Sequence, residues 1–218
     1  MRVGRVAAPL REQVLDVLRQ AILDFRLKPG QRLIERELIE QVGVSRTTIR
    51  EVLRELAAEG LVTTIPQKGA IVVVPTAEEA ADLYEVRAAL EALAARRFVA
   101  HADARQVAAL RTAFSEFERV AHDGGNIRAM LQAKDRFYRV LLEGSGNRSI
   151  ESILSGLQAR VRMLRAGSLS APGRPAAAVE EIRAIVVAIE KGDAAGAAQA
   201  TAAHVEQAAA VGIAAQPA

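Results

Sequence analysis

The chain has 218 residues, half of them apolar, a formal net charge of +3 and no cysteine. This is enough apolar material for two well-packed domains, and the lack of cysteine excludes disulfides, thiol nucleophiles and cysteine-ligated zinc. No apolar run reaches the roughly 18 residues of a membrane span, and the first residues lack the apolar core of a signal peptide, so a cytoplasmic protein with no membrane partner is expected.

The positive excess is confined to one end. Residues 1–75 carry 12 Lys and Arg against 9 Asp and Glu, whereas residues 76–218 carry 17 of each. A module that contacts phosphates needs its surplus charge concentrated in this way.

The first helix is predicted from Leu10 to Phe25, with Leu10, Val14, Val17, Leu18, Ile22 and Phe25 forming its apolar stripe. Pro29 and Gly30 end it. A second helix is expected over residues 35–42, with Leu38, Ile39 and Val42 facing inward, and Gly43 supplies a sharp turn. Ser45 is placed to cap a third helix running to Glu59, which buries Ile49, Val52, Leu53 and Leu56 and stops at Gly60. The β-branched runs LVTTIP and AIVVVP, joined by Gln67, Lys68 and Gly69, predict a two-stranded hairpin. This order of elements is a winged helix-turn-helix.

The exposed start of the third helix suggests the chemistry. Free amides and the helix dipole favour phosphate there. The small residues Ser45, Thr47 and Thr48 permit close approach to DNA. Arg46 and Arg50 lie one turn apart and can reach guanine edges or phosphates in a major groove.

The stretch from Glu35 to Leu56, followed by Gly60-Leu61-Val62 and Lys68-Gly69, resembles the DNA-binding domain of GntR-family regulators, in the branch related to the fatty-acid-responsive regulator. In that branch Arg36, Ser45, Arg46, Thr47, Thr48, Arg50 and the wing-tip Gly69 match positions that contact DNA, and Lys68 is expected to meet phosphate. Many members have proline where this chain has Thr48. The resemblance implies a homodimer that reads a palindromic operator in double-stranded DNA, and the expected role is that of a repressor of a metabolic operon.

Residues 76–218 read as an antiparallel all-helical bundle, giving a mainly α chain of two domains, residues 1–75 and 76–218. Helices are predicted over about 78–100, 103–122, 126–143, 147–167, 176–191 and 193–211, broken by glycine, asparagine and aspartate clusters. Val107, Leu110, Phe114, Phe117 and Ala121 mark one apolar face. Leu83 to Glu91, Phe137-Tyr138 with Gly144 to Asn147, and Ala188 to Asp193 leading to His204 resemble the FCD effector domain of the same branch, in a short six-helix form similar to the vanillate regulator's.

Many such domains hold a divalent metal through one aspartate and three histidines. Aligned through Phe137 and Asn147, this chain has Lys134 at the aspartate position, Tyr138 and Ile182 at two histidine positions, and His204 at the third. An ammonium, a phenol and an isoleucine are not a metal site, so no metal or other cofactor is expected. The buried-face placement of Arg87, Lys134, Tyr138 and His204 instead suggests a pocket for a small organic anion, with Arg160 a weaker candidate. The competing reading pairs Arg87 with Glu91, lets Lys134 extend to solvent and leaves His204 as a satisfied core residue.

An enzyme is disfavoured. There are three histidines, no glycine-rich phosphate loop and no visible carboxylate dyad. A sequence-nonspecific architectural DNA-binding protein is the remaining alternative, but it has no need of a neutral helical domain of this size.

Overall fold

The computed structural model describes residues 8–65, 69–124 and 126–214. The chain forms two compact units, Met1–Val74 and Pro75–Ala218.

In the first unit, α1 (Ala8–Leu23), β1 (Arg32–Leu33), α2 (Glu35–Val42), α3 (Arg46–Ala58), β2 (Val62–Ile65) and β3 (Gly69–Val72) follow in order. Helix α1 packs on α3, and α2 on α3. Gly43 closes α2 at φ 71°, a left-handed conformation that suits a residue without Cβ. Ser45 accepts a hydrogen bond from the Thr48 backbone amide at 3.1 Å and so caps α3. Ile49, Val52, Leu53 and Leu56 are buried, as the apolar spacing requires.

Two features of this unit depart from the sequence reading. Leu10 and Val17 are about half exposed, because α1 presents the opposite edge of its stripe, with Leu15, Ala21 and Leu23, to the core. The helix also ends at Leu23 rather than Phe25, whose positive φ of 58° breaks the helical geometry. The wing gains a third strand, since β1 pairs antiparallel with β3 through Arg32 opposite Ile71 and Leu33 opposite Ala70, giving the order β1-β3-β2.

The second unit contains α4 (Ala77–His101), α5 (Ala104–His122), α6 (Ile127–Gly144), α7 (Arg148–Leu169), α8 (Arg174–Glu190) and α9 (Ala194–Ala214). Thr76 with Glu79, and Asp103 with Gln106, form reciprocal capping boxes that start α4 and α5. Asn126 and Asn147 cap α6 and α7. Helix α4 runs along α9, α5 packs against α6 and α8, and α8 packs on α9. Phe98, Phe117, Phe137, Leu110, Leu131 and Leu141 are fully enclosed, each contributing about 1.5–3 kcal/mol of burial. At the end of the α4–α6 contact the ring of Phe98 lies where a side chain on Gly144 would be, a Cβ there falling 2.2 Å from Phe98 Cε2.

Candidate functional site

The cap geometry of α3 decides which residues of the first unit are free to meet a ligand. Ser45 is engaged by the Thr48 amide, and its hydroxyl also lies 2.9 Å from the Thr48 hydroxyl, so these two hydroxyls hold the helix start in place. Arg46 and Thr47 project from the exposed first turn, and Arg36 is exposed on α2. Arg50 is exposed too, but its Nε donates to both oxygens of Glu35 at 3.0 and 3.1 Å, which ties α3 to the start of α2. Gly69 opens β3 at φ 81°, with open space where a Cβ would go, so the backbone conformation rather than crowding selects glycine there. Lys68 lies outside the described residues.

The second unit carries an unusual density of buried charge. Arg87, Glu91, Lys134, Arg162, Arg165, Arg174 and His204 are all buried. Lys134 is 2% exposed, which corrects the picture of a lysine reaching for solvent. Its Nζ lies 3.1 Å from His204 Nε2, and the other ring nitrogen of His204 is hydrogen-bonded to Glu181 Oε2. Glu181 in turn accepts two hydrogen bonds from Arg174 at 3.0 and 2.8 Å. The chain of contacts fixes the tautomer: His204 donates from Nδ1 to the carboxylate and accepts from Lys134 at Nε2. Burial first, then the neighbouring Lys134 charge, holds His204 well below the usual imidazole range. Burial, then Arg165, Arg87 and Arg174, pushes the Lys134 ammonium well below the usual lysine range.

Arg87 Nε donates to Glu91 Oε1 at 3.0 Å, so the expected Arg87–Glu91 pair is present. Burial opposes both charges and their mutual attraction prevails, Glu91 being held below the usual carboxylate value with help from Arg165. Yet Arg87 Nη1 and Nη2 are buried without a hydrogen-bond partner, while the Tyr138 hydroxyl lies against the Glu91 carboxylate. Unpartnered groups of this kind each cost about 1–3 kcal/mol. The Arg165 guanidinium stacks 3.8 Å from the centre of the Tyr138 ring, with Lys134 Nζ 5.9 Å from that centre. Arg165 also bridges Glu91 at 3.4 Å and Asp135 at 3.3 Å. Burial, then Glu91, raises the Tyr138 phenol, keeping it a hydroxyl donor.

Beside this cluster lies a cavity of about 580 Å³, whose lining includes Glu91, Tyr138, Arg165, Leu142, Leu154 and Val161. Of the four residues proposed from sequence, Tyr138 faces this cavity, while Arg87, Lys134 and His204 lie in the buried cluster behind it. Arg160 is exposed on α7 and takes no part, because its position falls off the buried face formed by Val161, Leu164 and Arg165. Glu91 as a ligand-facing group, Arg165, Arg174 and Glu181 were missed. Arg174 and Glu181 lie two helical turns apart on α8, beyond the spacing at which helix neighbours pair by sequence alone.

These residues do not fit the family's divalent metal. The nitrogen of His204 that a cation would need is taken by Lys134 Nζ, and Ile182 is fully buried with no lone pair to offer a metal. Among the described residues no group of three or more His, Asp or Glu could hold a metal ion. Nor is any helix among them long and apolar enough to cross a membrane.

Comparison with known proteins agrees with both units. Residues 10–72 match the gntR family of bacterial regulatory proteins, and residues 82–207 match the FCD domain. The chain is 32% identical over 182 residues to a probable D-xylose utilization operon transcriptional repressor of Paenarthrobacter nicotinovorans, covering 83% of this chain and 79% of the relative. It is 34% identical over 145 residues to the Nta operon transcriptional regulator of Aminobacter aminovorans, covering 66% and 67% of the two chains. Among solved structures, a GntR transcriptional regulator from Rhodococcus sp. RHA1 superposes with a TM-score of 0.81 at 24% identity, covering 92% of this chain and 95% of that one. Escherichia coli McbR/YncC superposes with a TM-score of 0.76 at 22% identity, over 97% and 98%. The two units, in this order and with these matches, make the chain a member of the GntR family of transcription regulators, with an FCD effector domain behind its winged helix-turn-helix and no enzymatic role.

Proposed function

We propose that this regulator acts in the cytoplasm as a homodimeric repressor of a metabolic operon, reading a palindromic operator and answering to a small organic anion. Arg46 and Thr47, at the exposed start of α3, supply the base-reading edge, with Arg36, Ser45, Thr48, Arg50, Lys68 and Gly69 positioning the backbone. The effector's anionic group sits on Arg87, Lys134 and Tyr138, with His204 holding Lys134 in place, and the six helices α4–α9 support the short, vanillate-regulator-like reading. One observation carries the effector assignment: the fully buried Arg87 guanidinium leaves Nη1 and Nη2 without partners, beside the buried Lys134 amine. A metal ion is not needed, because the Arg87 guanidinium supplies positive charge and Lys134 a further donor. Two relatives are named for single operons, one of them for D-xylose utilization, which supports an operon-level target.

The test is binding of the full chain to the promoter DNA upstream of its own gene neighbourhood, followed by fluorescence anisotropy in the presence of carboxylate metabolites. Preference for one palindrome over random duplex that survives raised salt separates this reading from an architectural DNA-binding protein. A monomer in sedimentation at micromolar concentration would contradict the dimer.

A further inference from the structure

Of the three arginines on α3, Arg46, Arg50 and Arg54, only Arg50 has an ion-pair partner among the described residues. Its Nε donates to Glu35 Oε1 and Oε2 at 3.0 and 3.1 Å, while Nη1 and Nη2 make no hydrogen bond among those residues. A guanidinium is a planar fork of five donors, and its terminal nitrogens match the paired oxygens of a phosphate. With the Nε edge held, the terminal edge of Arg50 is open and has one fixed aim.

The holding group has a firm base. Glu35 is the first residue of α2, where the helix dipole favours a carboxylate, and α2 packs on α3. The two side chains are 56% and 37% exposed, so the pair adds little to the stability of the fold. A carboxylate beside the recognition helix also repels the phosphates of any duplex. Taken alone, Glu35 therefore weakens DNA binding.

Pre-organisation offsets that repulsion, and it does so selectively. Where the helix is seated at one depth and register, a fork already aimed loses no rotamer freedom on contact. On a duplex that does not seat the helix, the aimed fork misses and only the repulsion is left. We propose that Glu35 is a positioning residue that sets sequence discrimination through Arg50, aiming its terminal fork at an operator phosphate and penalising every duplex on which that fork is not seated. This rests on the operator reading above and adds Glu35 to it.

Fluorescence anisotropy of the full chain tests it on two labelled duplexes, the palindromic segment of the promoter DNA and a shuffled duplex of the same length and composition. Glu35→Ala should weaken binding to the palindrome about threefold to tenfold, the scale of one side chain losing its pre-set conformation. Binding to the shuffled duplex should stay equal or tighten. In an Arg50→Ala background the same change should cost nothing on the palindrome. Glu35→Gln keeps an acceptor for Nε and should recover most of the lost affinity. Equal losses with and without Arg50 would make Glu35 a prop for α2 and overturn the proposal. Tighter binding of Glu35→Ala to both duplexes would reduce Glu35 to a repulsive charge and overturn it too. A preference left unchanged in Glu35→Ala overturns this inference alone, whereas a wild-type chain that binds both duplexes alike overturns the operator reading with it.

Discussion

Lys134 Nζ and His204 Nε2 lie 3.1 Å apart inside the bundle, each side chain closed off from solvent. Lys134 Nζ, held by a neutral imidazole, is a fixed hydrogen-bond donor beside the Arg87 and Arg165 guanidinium charges, and this set needs no metal to meet an anion. Lys134→Met should therefore abolish the response of operator binding to the effector while leaving the free protein's operator affinity nearly intact. Elemental analysis of the wild-type protein should find no stoichiometric zinc, nickel or manganese. One metal per chain would refute the argument, and a normal response in Lys134→Met would move the pocket elsewhere.

The same pair makes stability depend on pH. His204 is held well below its ordinary value by burial and Lys134, with Glu181 and Arg174 on its other side. Where the folded value is depressed, the unfolded chain binds more protons, so stability rises with pH through that window and falls as the solution is acidified. For His204 the window lies below about pH 6.5. Urea denaturation of the ligand-free protein should show stability falling from neutral pH toward about pH 5, and His204→Asn should flatten that fall. An unchanged slope in the variant would refute the assignment to His204.

Arg87 and Glu91 form a buried pair with side chains 0% and 2% exposed. Arg87→Met strands the carboxylate with Arg165 alone, which should cost about 3–5 kcal/mol. Adding Glu91→Leu removes the stranded charge and should recover most of that loss. Denaturant midpoints at constant m-value report both changes. No recovery in the double variant would mean that packing, not charge, dominates the site.

For DNA reading, Arg46→Ala should lose about 1–3 kcal/mol on the specific operator and less on random duplex. The contrast follows from its free, exposed position at the first turn of α3. Equal losses on both DNAs, measured by anisotropy, would make it a phosphate contact.

The Gly144–Phe98 contact predicts that Gly144→Ala destabilises the chain by about 1–3 kcal/mol through overpacking. Phe98→Leu in the same chain should relieve part of the cost. Thermal unfolding measures both, and a neutral Gly144→Ala would show that the α4–α6 contact yields easily.

Much of this architecture is legible in the residues because its boundaries are local chemistry. Ser45, Asp103 and Asn147 cap helices within three residues of themselves, and Gly43 and Gly192 end elements by their own backbone freedom. Strand β1 escaped because two residues, Arg32 and Leu33, carry no alternation to detect. Helical spacing placed Lys134 and His204 each on an apolar face, but not beside one another. The partners Arg165, Arg174 and Glu181 were not legible, since three-dimensional packing of α7 and α8 brings them to residues far away in sequence. Arg50 looked free for DNA until Glu35, fifteen positions away, was found against it.

The missing side chain of Gly144 has a mechanical consequence. With Phe98 filling its place, and Arg97 donating to the Ser145 carbonyl at 3.2 Å beside it, the ends of α4 and α6 are interlocked. Arg87 and Glu91 ride on α4, Lys134 and Tyr138 on α6, so the groups that grip a guest form one fixed jaw. Arg165 on α7 meets them through ion pairs to Glu91 and Asp135 and by stacking on Tyr138, while Leu154 and Leu164 pack α7 against α4. The spacing between the α4 and α6 groups is therefore set by one missing Cβ, far along both helices from the charges it holds in register.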